Sequence, residues 1–356
     1  MNHILQEDIE YIAMSKSIEW KELENKSVLV TGATGLIGSQ IIMALDEHNK
    51  SNKSNKNPIT IYAYARNEEK ARKKFEDCTT YVKIVIGDIC DDIKIDKPID
   101  YIIHGASITG SKQFVDYPVE TIMTGIEGTK NILEFARGKQ IKGMVYLSSL
   151  EVYGVTDFSL KSVKEDQYGY IEQLSPRSSY SEGKRMIECM CVSYGCEYGV
   201  PVKIVRLSQT FGPGVSYEDG RVFAQFARAA IENKNIVLKT KGETYRNYCY
   251  TRDAVIGILC VLLKGEKREA YNIANEETGI SICDMARLVA EDIKKRKIEV
   301  IFDINDDIEK LGYAPTIKIA LDTKKVQKLG WKAEIGLKEA YNRMIEYMKD
   351  TKGETY

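Results

Sequence analysis

Tyr180 and Lys184 stand four residues apart, a spacing that on a helix puts both on one face. A lysine ammonium beside a phenol favours the phenolate and brings its pKa from about 10 toward working pH. Such a tyrosine serves as acid and base toward a sugar hydroxyl or carbonyl while a nicotinamide exchanges hydride with the carbon. Ser148 and Ser149 follow the apolar run Met144–Leu147. If that run is a strand, they stand at its carboxyl end, where open α/β sheets bind ligands.

A dinucleotide needs a phosphate cradle, and Thr31-Gly32-Ala33-Thr34-Gly35-Leu36-Ile37-Gly38 has the composition of one. It joins a continuous apolar run, Ser27–Thr31, to an amphipathic segment, Leu36–Leu45. Glycines there permit a tight turn, a close approach of backbone to pyrophosphate, and close packing of helix on strand. The helix N-terminus then offers free N–H groups and the positive end of its dipole. NAD sites usually place an acid after the second strand. Here Ile61–Ala65 is followed by Arg66 and Asn67. Arg66 suits a 2′-phosphate and favours NADP(H) over NAD(H); alternatively Arg66 is a solvated loop residue and Glu68 or Glu69 reaches back. Asp88, after the third strand, is placed to meet the adenine amino group or to make an ordinary turn.

The elements that must position these groups alternate along the chain. Strands are predicted at Ser27–Thr31, Ile59–Ala65, Tyr81–Ile86, Tyr101–His104, Met144–Ser148 and Val202–Leu207, with helices between them, notably Val119–Arg137 and Tyr180–Tyr198. This rhythm predicts an α/β fold with a doubly wound parallel Rossmann sheet. Residues 1–26 read as an N-terminal helical extension, 27–207 as the dinucleotide-binding domain, and Lys50–Pro58 as a polar loop. Residues 208–356 read as a smaller C-terminal α/β substrate lobe, with returns to the main sheet at about 246–274. Its helices are expected at Arg221–Glu232, Asp253–Leu263, Ile282–Arg296 and Ile335–Lys349.

The composition narrows the function classes. Apolar residues make up 43% and charged residues 29% of 356, and 51 basic side chains face 52 acidic ones. That balance fits a soluble globular chain and argues against bulk nucleic-acid binding. No window approaches the roughly 18 uninterrupted apolar residues of a membrane helix, and the N-terminus has no signal-peptide core; a cytoplasmic location is expected. His3, His48 and His104 are the only histidines, too few for a multi-histidine metal site, and no metal is expected. The eight cysteines form no C-x-x-C pair. Cys189, Cys191 and Cys196 read as packing residues on a helix.

Together these residues resemble the extended short-chain dehydrogenase/reductase superfamily, in its NAD-dependent epimerase/dehydratase group acting on nucleotide sugars. The resemblance rests on TGATGLIG (31–38), GDI (87–89), HGAS (104–107), SSLEVYG (148–154), YSEGK (180–184), RLSQTFGPG (206–214), GRVFAQF (220–226) and RNYCYTRDA (246–254). Within the group the chain is most similar to UDP-glucuronate decarboxylases, through EVYG, SPRSSYSEGKR (175–185) and DGRV (219–222). The resemblance implies that Gly32, Thr34, Gly35, Leu36, Ile37, Gly38, Arg66, Asp88, Ile89, Ala106 and Ser107 bind the dinucleotide. It implies that Ser149 holds the substrate C4 oxygen, Tyr180 is the base, and Lys184 binds the nicotinamide ribose. Arg221 and Arg246 are expected near the nucleotide diphosphate, where paired arginines suit phosphate. Gln209 stands where the group usually has a diphosphate- or sugar-binding Asn.

Glu151 resembles the acid/base carboxylate of 4,6-dehydratases and the matching Glu of decarboxylases, or else caps a nearby turn. Dehydratases also need an acid at the preceding position, where this chain has Leu150. Gly125 replaces the group's Asn, which helps relay protons from the lysine. The loop Ile108–Pro118 lacks the proline-rich run of the decarboxylases. The expected activity is hydride transfer at sugar C4 with redox-neutral, decarboxylase-type chemistry. Alternatives are an NADPH-dependent reductase of a nucleotide-linked (for instance CDP-linked) keto-sugar, a 4-epimerase or 4,6-dehydratase, and a non-catalytic dinucleotide sensor. A homodimer with a nucleotide-diphosphate sugar as substrate is expected, with no nucleic-acid or membrane partner.

Overall fold

The run Ser27–Thr31, buried along its whole length, is strand β1 of the computed structural model, which describes residues 1–51, 57–304 and 316–353. Helix α1 (His3–Ala13) precedes it. After it come α2 (Leu36–Ser51), β2 (Thr60–Ala65), α3 (Glu68–Lys74), β3 (Val82–Ile86), β4 (Tyr101–His104), α4 (Ser111–Asp116), α5 (Pro118–Lys139), β5 (Gly143–Ser149), α6 (Ser179–Glu197) and β6 (Val202–Leu207). The second half holds β7 (Gln209–Phe211), α7 (Val222–Glu232), β8 (Ile236–Leu238), β9 (Tyr245–Tyr250), α8 (Thr251–Lys264), β10 (Ala270–Ile273), β11 (Asn275–Ser281) and α9 (Ile282–Arg287). It closes with β12 (Val300–Phe302), β13 (Lys318–Ile319), α10 (Lys324–Gln327) and α11 (Leu337–Asp350).

Seven strands form one parallel sheet in the order β3-β2-β1-β4-β5-β6-β10. Successive side chains leave by opposite faces. Val28 and Val30 join a core with α1, α2, α8 and α11, whereas Leu29 joins one with α5 and α6. Burial on both faces explains why these strands read as unbroken apolar runs. The strand order reverses between β1 and β4, so a crevice opens beyond their carboxyl ends. A smaller sheet joins β9 to β11, β13 and β7, and β12 pairs with β8. Within 246–274, therefore, only β10 enters the main sheet; β9 belongs to the small one.

Three expectations are corrected. Helix α2 runs on through Lys50 and Ser51, at the start of the stretch read as a loop; residues 52–56 lie outside the described residues. Its polar end is held by tertiary partners: His48 stacks on Trp20 with centroids 3.9 Å apart, and Asn49 exchanges two hydrogen bonds with the Ile59 backbone. The helix expected at Ile282–Arg296 stops at Arg287 and continues as a π-helical turn, Leu288–Ile293, before Lys295 and Arg296 turn left-handed (φ 51° and 60°). The segment Ile108–Pro118, read as a loop, contains α4, which ends as Pro118 opens α5.

The N-terminal helix is docked against α2, α8 and α11. Asp8 is fully buried and accepts hydrogen bonds from Tyr250 (2.5 Å) and Arg343 (3.0 Å). A buried carboxylate of this kind is stable only with such partners. Its pKa is nonetheless raised, because burial outweighs them.

Candidate active site

The cradle between β1 and α2 depends on two glycines. Gly32 has φ +68°, and a side chain there would meet the Gly105 carbonyl at 2.7 Å. A side chain at Gly38 would run into the Gly32 carbonyl. Both must stay bare for the turn to close and for α2 to start against it. Thr34, Leu36 and Ile37 are half-buried and Gly35 is exposed, so the loop and the unbonded N–H groups of the first helical turn remain open to a ligand. The cradle fits a dinucleotide pyrophosphate.

His104 ties this loop to its neighbour. Its Nδ1 lies 2.7 Å from Thr31 Oγ1 and its Nε2 3.1 Å from Thr129 Oγ1. The same Thr31 oxygen accepts from the Gly105 and Ala106 N–H groups, both at 3.2 Å. Burial, with the Lys184 charge second, pushes the imidazole down to about 3, so it is neutral. Ala106 and Ser107 follow, half-buried at the crevice. At the end of β2, Arg66 is 73% exposed and lies 3.9 Å from Asp88. Asp88 also accepts from the Cys90 N–H (2.9 Å) and its carbonyl from Tyr64 (3.0 Å), beside the buried Ile89.

On the first turn of α6, Tyr180 lies face to face with Phe114 from α4, centroids 4.2 Å apart and planes 10° from parallel. Lys184 is buried one turn on. Its Nζ stands 5.6 Å from the Tyr180 ring centre and donates to the Leu147 carbonyl at 2.9 Å. Burial pulls the ammonium down to about 8, partly opposed by the carboxylate of Glu188. The expected lowering of the phenol is overturned: Tyr180 is raised well above the tyrosine range. Burial is the main cause and the Glu151 carboxylate the second, while Ser149, Arg177 and Arg221 act the other way. The lysine does not prevail because its amine is drawn to the Leu147 carbonyl and the half-buried ring is packed against Phe114.

The two serines part company, as neighbours on a strand must. Ser148 is buried and donates to Glu188 (2.6 Å), which in turn holds Arg206 in a buried ion pair at 2.7 Å. Ser149 is left at the crevice, where its Oγ accepts from the Glu151 N–H at 3.2 Å. The Glu151 carboxylate receives both terminal nitrogens of Arg177, each at 3.0 Å, and the Ser181 hydroxyl at 3.1 Å. Leu150 beside it is buried in apolar packing.

Arg177, Phe114 and Ser181 were not among the expected site residues. Arg177 carried one signal, its place three residues before Tyr180; Phe114 carried none, since its segment read as a loop. Gly125 proves to be a packing residue: a side chain there would meet Ile187 Cδ1 at 2.9 Å, between α5 and α6.

Toward the small sheet, Gln209 opens β7 in register with Tyr248 of β9. Arg246 lies two residues earlier on β9; its Nε is buried with no partner among the described residues, as a group awaiting an anion would be. Arg221 is already engaged by Asp219 (2.6 Å) and lies over Phe223. Cys191 is buried and Cys189 and Cys196 are exposed, all unbridged. Among the described residues no cluster of metal-ligating side chains occurs, and no helix is long and apolar enough to cross a membrane.

Residues 28–274 match the family model described as NAD dependent epimerase/dehydratase family. UDP-glucuronic acid decarboxylase 1 of Xenopus tropicalis is 28% identical, over 92% of this chain and 73% of its own. The dTDP-D-glucose 4,6-dehydratase of Homo sapiens is 27% identical, over 91% and 90%. Among solved structures, UDP-glucuronic acid 4-epimerase from Bacillus cereus in complex with NAD superposes with a TM-score of 0.72 at 22% identity, over 91% of this chain and 99% of that one. RMD from Pseudomonas aeruginosa, complexed with NADPH, gives 0.70 at 19%, over 91% and 99%.

Proposed function

This chain belongs to the NAD dependent epimerase/dehydratase family, and from that premise we propose that it oxidises C4 of a nucleotide-diphosphate sugar and then decarboxylates it without net redox change. The observation that carries the reading is the grouping of Ser149, Tyr180 and Lys184 at the end of β5, on the crevice that the glycine cradle opens.

In this reading the cradle, with Ala106, Ser107 and Asp88, holds the dinucleotide, whose nicotinamide when bound supplies a hydride acceptor and later a donor. Ser149 donates to the C4 oxygen, and Tyr180 takes the C4 hydroxyl proton in its phenolate form, which the Lys184 charge favours and burial opposes. A C4 ketone makes a C6 carboxylate a β-keto acid. Carbon dioxide then leaves as the C5–C6 electron pair passes toward the C4 oxygen, which Tyr180 and Ser149 hold by hydrogen bonds. A proton from water at C5 replaces the lost carbon dioxide, and Tyr180 gives its proton back to the C4 oxygen to complete the cycle. Gln209, Arg246 and Arg221 are assigned to the sugar nucleotide, Arg246 foremost because, unlike Arg221 on Asp219, its buried Nε has no hydrogen-bond partner among the described residues.

The state of Glu151 supports decarboxylation over dehydration. A carboxylate whose two oxygens are taken up by the Arg177 fork and the Ser181 hydroxyl is not free to donate to a leaving hydroxyl, and Leu150 cannot replace it. Loss of carbon dioxide needs no such acid. Similarity to UDP-glucuronic acid decarboxylases points the same way. A second reading, reduction of a nucleotide-linked keto-sugar by NADPH, is favoured by Arg66, which stands where NAD sites have an acid.

A panel of UDP-, dTDP-, GDP- and CDP-linked sugars, UDP-glucuronate included, separates them by mass spectrometry and nicotinamide absorbance. Loss of carbon dioxide with cofactor used only catalytically is the expected result. A gain of two hydrogens with stoichiometric NADPH consumption overturns it in favour of the reductase. Loss of water marks a dehydratase, and an unchanged mass with altered stereochemistry a 4-epimerase.

A further inference from the structure

Tyr180 is held by more than its own helix. Phe114 comes from α4, more than sixty positions away in the chain, and covers one face of the ring at 4.2 Å. The Arg177 guanidinium stacks on Phe114 in turn, 5.0 Å from its centre. The same guanidinium forks onto Glu151, whose carboxylate also takes the Ser181 hydroxyl adjoining Tyr180 in the chain. Ser179, on the other side of Tyr180, donates to the Phe114 carbonyl at 3.0 Å. The residues flanking Tyr180 are thus pinned to the same two elements that enclose its ring.

We propose that Phe114 and Arg177 are positioning residues for Tyr180: Phe114 fixes and dries the ring, and Arg177 fixes the Glu151 carboxylate beside it. The proposal rests on the acid–base reading of Tyr180 but concerns residues outside its motif. The charged and titratable groups facing the phenol are Glu151 after β5, Arg177 before α6, Lys184 on α6, Arg221 before α7 and Tyr146 on β5. Glu151 and Arg177 act on it in opposite senses, so the fork sets a balance that either residue alone would upset. A precisely held acid–base group matters because a misplacement of about 1 Å costs on the order of 10²-fold in rate.

The test uses the full chain. In ¹³C-tyrosine-labelled protein the Tyr180 signal is identified by its loss in Tyr180→Phe. Phe114→Leu should remove the ring-current displacement of that signal and let the phenol ionise about one unit earlier in an alkaline titration, as water reaches it. Arg177→Met should displace the signal without earlier ionisation, since a cation is lost beside it, and Arg177→Lys should largely restore the wild-type signal. In turnover of whichever panel sugar the wild type consumes, both Phe114→Leu and Arg177→Met should lower kcat about tenfold or more with cofactor affinity and KM little changed. A Tyr180 signal and titration unmoved by either variant, or a kcat equal to wild type in both, overturns the proposal. Failure of the catalytic reading looks different: Tyr180→Phe would then turn over normally, whatever the signal does.

Discussion

The two ends of the crevice are built on different plans. The dinucleotide end is backbone: eight consecutive residues, Thr31–Gly38, make a turn whose shape follows from where side chains are missing. The end we assign to the sugar is side chain: Phe114, Glu151, Arg177 and Tyr180 arrive from separate elements and hold one another by a fork and stacks. A backbone cradle is generic, because any dinucleotide presents the same pyrophosphate. A side-chain assembly is individual, because each member depends on particular partners brought from elsewhere in the fold. The difference predicts separable failures.

The largest effect is expected at the sugar end. Tyr180→Phe should cost roughly 10²–10⁴-fold in turnover, the worth of a positioned acid–base group, while the dissociation constant of the dinucleotide stays within a few-fold. A parallel loss of cofactor binding would show that the two ends are one unit. Next, Glu151→Gln, which weakens the fork to Arg177 beside Tyr180, should lower turnover about tenfold or more with the dinucleotide dissociation constant little changed. Turnover equal to wild type would show that Glu151 takes no part in holding Tyr180.

The cradle is broken from the other side. Gly38→Ala should weaken dinucleotide binding at least about tenfold, some 1.4 kcal/mol, because its new methyl meets fixed backbone. Gly35→Ala, whose methyl would lie 3.2 Å from the Gly32 carbonyl, should cost less; fluorescence titration of both variants ranks them. Arg66→Ala should shift the NADP-to-NAD affinity ratio by roughly fivefold, about 1 kcal/mol for an exposed charge contact. Equal affinities unaffected by the change would remove Arg66 from cofactor selection.

A further effect is one of stability, carried by His104 between the two ends. The native imidazole stays neutral down to about 3, whereas in the unfolded chain it takes a proton near 6.5. Below that pH the unfolded state binds the extra proton, so stability is full above pH 6.5 and falls as pH drops toward 3. Denaturant melts at pH 7 and pH 5 should show this loss, and His104→Gln should flatten it.

Much of this molecule was legible before folding. β1, β4 and β6 lie where their apolar runs end, since burial on both faces leaves no alternation to misread. Less legible were β7, β9, β11 and β13, short strands whose pairing depends on partners brought from elsewhere. The polar end of α2 was hidden too, because Trp20 and Ile59 stabilise it from outside its own sequence.

By itself the sequence determined what short-range chemistry controls. Glycine spacing decided the turn, apolar periodicity the alternation of strand and helix, and the four-residue interval the shared face of Tyr180 and Lys184. The tertiary structure alone decided which side chains meet. It turned Ser148 away to Glu188 and left Ser149 at the crevice, and it tied Glu151 to Arg177. It also set Phe114 on Tyr180 and raised a phenol that its neighbouring lysine alone would have lowered. The reason is that periodicity and backbone preference act over a few residues, whereas desolvation and ion pairing depend on everything within a few ångströms, however distant along the chain.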